Sequence, residues 1–192
     1  MSFNMPPGFR FYPTDEELVV HFLHRKTMLL PCHPDIIPDL DLYPYDPWDL
    51  NGKAMAEGNK CYFYSRKTQS RVTGSGYWQP FGAKDEPIYS TSGHRIGIKK
   101  YYEFYIGQPN SKGAKTNWVM QEFRLSDSSS STSARSSRSS RRNSNNVDYS
   151  KWVVCRVYEN DGDDGDDDGI ELSCLDEVFL SMDDLDEISL PN

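Results

Sequence analysis

The chain has 192 residues, with 21 Lys and Arg against 29 Asp and Glu, for a formal net charge of −8. Aromatic residues make up 13%, enough to build a core, and no run approaches the ~18 apolar residues that would cross a membrane. With no signal-peptide pattern at the start, the scattered Cys32, Cys61, Cys155 and Cys174 read as reduced thiols of the cytosol or nucleus, because no CxxC pair joins them.

The net charge averages two unlike parts. Residues 1–158 hold all 21 basic residues and 15 acids, whereas residues 159–192 hold 14 acids and no base. This division predicts a domain that faces a polyanion, followed by a segment that faces other proteins.

In chain order, Pro6, Pro7, Gly8 and Pro13 predict an extended start. Thr14 and Glu17 form a capping box, and Asp15 and Glu16 complement the positive end of the helix they open. Leu18 with Phe22, and Val19 with Leu23, give that helix an apolar face, and Arg25 and Lys26 finish it. His21 and His24 lie three apart on it, but no second ligand pair accompanies them, so they read as surface histidines and no metal is expected.

Residues 31–52 are broken by prolines and predict short helical turns at most, pinned by Ile36, Ile37, Leu40, Leu42, Tyr43 and Trp48. Strands are expected at Cys61–Arg66, through Tyr77–Phe81, at Pro87–Ser90, Arg95–Gly107, Asn117–Leu125 and Lys151–Tyr158. Short Gly/Pro-bearing connections imply an antiparallel sheet, and one leading helix makes the class α+β. Residues 126–146, rich in Ser and Arg, predict a disordered basic loop that meets phosphates, guides nuclear import, accepts phosphorylation or merely links strands.

From Arg71 to Asp85 the chain reads RVTGSGYWQPFGAKD. Three glycines around Tyr77 and Trp78 predict a short, well-anchored strand, either an ordinary hairpin arm or one whose edge meets a partner. A strand enters the major groove of duplex DNA as a helix does. Residues 159–192 begin as an acidic Gly-rich spacer and then alternate acids with Ile170, Leu172, Leu175, Val178, Phe179, Leu180, Met182, Leu185 and Ile188, the composition of segments that fold on a partner. Within it, Leu172, Cys174 and Asp176 resemble the LxCxE motif bound by retinoblastoma-type pocket proteins, with Asp in the last place. Paired carboxylates, a nucleophile–base arrangement and a phosphate loop with signature spacing are all missing, so neither an enzyme nor a cofactor is expected.

The motifs PPGFRFYPTDEEL, DLYPYDPWDL, GSGYWQPFG, RIGIKKYYEFYIG, KTNWVMQEFRL and WVVCRVYE, in this order, resemble the plant NAC-domain transcription factors over about residues 5–158. That resemblance implies a twisted antiparallel sheet packed on an N-terminal helix, a homodimer or heterodimer with other NAC proteins, duplex DNA as partner, and the nucleus as location. Arg10 and Glu17 then correspond to an ion pair across the dimer axis, with Phe9, Phe11 and Leu18 supplying apolar contact. An intrachain pair at the helix start is the other reading of Arg10 and Glu17. On the same footing, Tyr77, Trp78, Gln79 and Phe81 lie in the groove-entering strand. Arg71, Lys84, Lys99, Lys112 and Lys115 stand as phosphate-facing cations.

One departure bears on function. The usual strand reads WKATG, and here Trp78 is followed by Gln79, Pro80, Phe81 and Gly82. Losing the lysine removes a cation, Pro80 removes a ladder N–H, and Phe81 adds bulk that either contacts a thymine methyl or blocks the groove. The expectation is a DNA-binding regulator with weakened or altered reading and repressor behaviour. The alternative is an adaptor that does not bind DNA and dimerises with normal relatives.

Overall fold

The computed structural model describes residue 8 and residues 10–41, 44–68, 70–126 and 151–160, with the backbone alone for residues 83 and 84. Phe9, the side chain of Lys84, most of the Ser/Arg-rich stretch, and the acidic segment with Leu172, Cys174 and Asp176 lie outside the described residues.

The leading helix, α1, covers residues 15–27 and opens as the sequence predicts. Glu17 N donates to Thr14 Oγ1 at 3.2 Å, and Thr14 N donates to Glu17 Oε2 at 2.7 Å, completing the capping box. The body was not anticipated. After an α-helical turn at Asp15–Glu17, Leu18–Leu23 is wound as π-helix, and His24–Thr27 returns to α geometry. Leu18, Val19, Phe22 and Leu23 are all buried against the sheet. At the far end, Leu30 N donates to Arg25 O at 2.9 Å and Leu29 N donates to Lys26 O at 3.2 Å. Those two bonds are a Schellman cap, and its left-handed position is filled by Leu29, with φ 54°, where glycine is usual.

Six antiparallel strands follow among the described residues: β1 (Met55–Glu57), β2 (Lys60–Arg66), β3 (Gly76–Tyr89), β4 (Arg95–Ile106), β5 (Ala114–Leu125) and β6 (Trp152–Glu159). Their order across the sheet is β1-β2-β6-β5-β4-β3. A lone parallel bridge from Asp39 to Tyr64 adds one more residue beyond β2. The α+β expectation of a sheet with an N-terminal helix holds. Two predicted strands, at Tyr77–Phe81 and Pro87–Ser90, turn out to be one long β3. Pro80 and Pro87 did not break it because β3 is an edge strand, where a missing N–H costs no ladder bond.

Both faces of the sheet carry core. On one, Phe11 and the α1 residues pack on Tyr62, Tyr64, Ile88, Phe123 and Val154. On the other, Leu50 from a short 3-10 turn at Pro47–Leu50 packs with Phe63, Trp78, Phe104, Met120, Val153 and Cys155. Such fully buried side chains each contribute ~1.5–3 kcal/mol. Helix and sheet approach closely at Gly97, where an added Cβ would sit 2.6 Å from Arg124 O and 3.1 Å from a Val19 methyl.

Candidate nucleic-acid interface

Because the sheet ends at β3, this strand has a ladder partner, β4, on one side only. Along its outer edge, the segment before it folds back only briefly: Trp78 N donates to Arg71 O at 2.8 Å, and Val72 bridges Tyr77. From Gln79 onward that edge is unpaired among the described residues.

The strand is also bent. Its register with β4 runs from Tyr77 opposite Tyr105 to Phe81 opposite Tyr101, then resumes at Glu86 opposite Lys99. Residues 82–85 thus stand opposite Lys100 alone, and a bulge of that kind re-aims the strand outward. Gly82 at φ 90° makes the turn possible, and a Cβ there would meet nothing within 4 Å, so its dihedral is the reason for glycine. Asp85 in the bulge pairs with Lys100 at 3.0 Å.

Side chains of β3 divide between two faces. Trp78, expected in the groove-entering strand, is 3% exposed and packs on Phe104 with ring centroids 5.0 Å apart. It is therefore an anchor, since the pleat sends it inward while its neighbours face out. Tyr77 stacks on Tyr105 at 5.6 Å and 15°, and Phe81, 39% exposed, meets Tyr101 at 5.7 Å. Gln79 lies exposed between them, opposite Glu103.

The strand is held from behind by a residue that sequence reasoning did not single out. Asp46, in the DPWDL stretch, accepts from Thr73 Oγ1 at 2.5 Å, Ser75 Oγ at 2.6 Å and Ser75 N at 3.1 Å. Burial opposes its charge, but the hydrogen bonds from Ser75 and Thr73 outweigh that and hold its pKa below the ordinary value. An Asp two residues before a Trp, and a Thr-Gly-Ser-Gly loop far along the chain, were the only signals in the sequence.

Electrostatics correct two expected phosphate contacts. The Arg71 side chain is about nine-tenths buried, pairs with the buried Glu122 at 2.9 Å and lies over the Tyr102 ring at 4.1 Å. Lys99 is likewise buried, donating to Asp15 Oδ2 at 2.7 Å and lying 3.2 Å from Glu86 Oε1. Burial disfavours the Lys99 ammonium, yet its bonds with Asp15 and Tyr101 more than offset this and raise its pKa. Both cations are committed inside the protomer, because a buried charge demands a partner. Lys112 is exposed in the β4–β5 turn. Lys115 is exposed too, although it pairs with Glu103 at 2.7 Å.

Two of the expected dimer contacts are corrected as well. Phe11 is fully buried, edge-on to Phe22 at 5.5 Å and Tyr62 at 4.9 Å, and Leu18 is fully buried beneath α1. Their apolar surface is spent on the protomer core. Arg10 is exposed just before Phe11, and Glu17 serves the capping box. Among the described residues no group of His, Cys, Asp or Glu is arranged to hold a metal, and no helix is long and apolar enough to cross a membrane.

Residues 6–125, from the extended start through β5, match the family model described as No apical meristem (NAM) protein. The chain belongs to the plant NAC family of transcription regulators. It is 70% identical over 192 residues to NAC domain-containing protein 104 of Arabidopsis thaliana, covering 98% of this chain and 100% of that protein. Identity is 41% over 164 residues to NAC transcription factor 25 of Arabidopsis thaliana, covering 81% of this chain and 50% of the other. With NAC domain-containing protein 58 of Oryza sativa subsp. japonica it is 40% over 167 residues, covering 81% and 42%. The chain thus matches one relative end to end and spans about half the length of the others. Their similarity to this NAC chain is confined to 81% of it.

Proposed function

We propose that this NAC protein is a non-enzymatic nuclear regulator that binds duplex DNA as a dimer through the outer edge of β3. The observation that carries this reading is the unpaired, outward-bulged edge from Gln79 to Asp85 on a strand anchored by Trp78. An edge of that shape offers side chains and backbone to a groove while the buried face keeps register. Gln79 and Phe81 then meet base edges, and Lys112, Lys115 and Lys84 meet phosphates. Arg10 and Glu17 pair across the dimer axis, fixing symmetry more than affinity, because an exposed ion pair contributes only ~0–1 kcal/mol. The partner is a second copy or another NAC protein. The acidic segment recruits effector proteins, including a retinoblastoma-type pocket protein through Leu172, Cys174 and Asp176.

A second reading draws on the charge pairing. Arg71, Lys99, Lys100 and Lys115 each have a carboxylate partner within the protomer. These four cations, among the described residues, are thus already neutralised within the protomer, as fits an adaptor that dimerises with DNA-binding relatives and lowers their output. Titration of the full chain with duplex DNA over a salt series separates the two. A slope of log K against log salt of roughly −2 or steeper supports direct binding, and no binding at any salt supports the adaptor. Arg10→Glu should weaken the dimer in sedimentation, and Arg10→Glu with Glu17→Arg should restore it.

A further inference from the structure

At the end of the sheet remote from Glu159, the molecule breaks two local rules at one residue. Leu29 occupies the left-handed position of the Schellman cap, and it is 68% exposed. Its neighbours Met28 and Leu30 are 50% and 48% exposed, so three consecutive large apolar side chains face solvent. Isolated exposed leucines need no explanation, but a contiguous apolar patch marks a contact surface. Strained backbone of this kind persists where surroundings or function require it. Beside the patch runs a groove of about 430 Å³ lined by Leu29, Leu30, Pro31, Cys32 and Tyr64, with Lys26 and Asp35 supplying charge.

The surroundings of the groove are basic. Lys26 Nζ lies over the Tyr64 ring at 5.0 Å and the Trp152 ring at 4.8 Å, and Arg66 lies over Trp152 at 3.9 Å. Lys67 N donates to Lys151 O at 2.5 Å, which brings two more lysines to this end. Lys26, Arg66, Lys67 and Lys151 thus gather at this end, beside Asp35 in the groove wall and Asp39, which holds Lys26 at 2.5 Å.

We propose that this groove is the docking site for residues 175–185 of the same chain. Leu175, Val178, Phe179, Met182 and Leu185 recur at helical spacing, and the acids among residues 175–187 have no base between them. An apolar stripe flanked by acids matches an apolar groove flanked by cations. Reach is ample. Val154 pairs near Tyr64 and β6 ends at Glu159, so the return along the strand is about 16 Å. The fifteen residues from 161 to 175 span up to ~50 Å when extended. Tethering then gives the segment an effective concentration that a free partner must match, so docking in cis competes with recruitment of effectors. This inference is independent of whether β3 binds DNA.

The test uses the full chain with Phe179→p-benzoylphenylalanine, prepared in light and heavy isotope forms, mixed, illuminated, digested and mapped by mass spectrometry. Cross-links are expected at residues 26–35, Met28 foremost, within one isotope form only. In Leu29→Gly with Leu30→Ser they should fall roughly tenfold, as loss of leucine contact implies. The first of these changes relieves the left-handed strain, and a single cooperative melting transition would confirm an intact fold. Cross-links scattered over the surface, hybrid light–heavy products indicating a second copy, or yields unaffected by the double change would each overturn the proposal.

Discussion

The two edges of the sheet are finished in opposite ways. At one, β1 has three residues, and the Asp39 bridge covers part of β2 beyond it, so little unpaired backbone is left. At the other, β3 runs 14 residues with its outer side unpaired from Gln79 among the described residues. Short strands and covering segments are common ways to blunt an edge against unwanted pairing. The β3 edge is guarded differently, by Pro80 and by the charged bulge ending at Asp85, which deter another strand while leaving the surface accessible. One edge is closed, and the other is left open, as the proposed recognition role requires.

The sharpest way to break this contrast is to compare adjacent residues of β3. Trp78→Ala should cost about 3–5 kcal/mol in chemical denaturation, because it empties the core beneath the edge. Gln79→Ala should stay within ~0.5 kcal/mol while changing DNA binding. Equal losses at both positions would mean that the edge is structural rather than recognitive.

A smaller effect lies in the latch behind the strand. Asp46→Asn should cost about 1–3 kcal/mol, since Ser75 N and two hydroxyls lose their charged acceptor. Its folded pKa lies below the ordinary value. Its stabilising contribution is therefore complete above the ordinary carboxylate range and fades as pH falls through the depressed value. Denaturation of the natural chain and of Asp46→Asn should converge in acid and separate toward neutral pH.

Smallest, and opposite in sign, is Leu29→Gly. Removing a side chain from a left-handed backbone should stabilise the protomer by up to ~1 kcal/mol, read as a rise in Tm, if no segment covers the site. A fall in Tm in the full chain would mean that Leu29 makes contacts beyond those within residues 10–160.

Much of this architecture was legible before any coordinates. The Thr14–Glu17 spacing announced the cap, and alternation with aromatic and β-branched residues located β2, β4, β5 and β6 within a few residues. The six ordered motifs resembled the family that similarity to known proteins then showed. What stayed hidden was long-range pairing. Lys99 finds Asp15 84 residues away, and Arg71 finds Glu122, so nothing local marks either cation as internal. Phe11 and Leu18 were also given dimer roles, because a motif gives roles without burial, whereas Phe22 and Tyr62 draw Phe11 in and the apolar face of the helix buries Leu18. β3 was split in two because proline and glycine punctuate a strand in sequence. At an edge the same residues shape a bulge.

The proposed function makes β3 the reading edge. The most direct test is fluorescence anisotropy of the full chain with a NAC-type duplex and a scrambled one, beside Gln79→Lys/Pro80→Ala/Phe81→Thr. The natural chain should prefer the NAC-type duplex. The triple variant should change this preference and steepen the salt slope by about one unit, as one added phosphate contact requires. Identical preference and slope in both proteins would contradict a reading role for β3, because the groove-facing edge would then have no part in recognition.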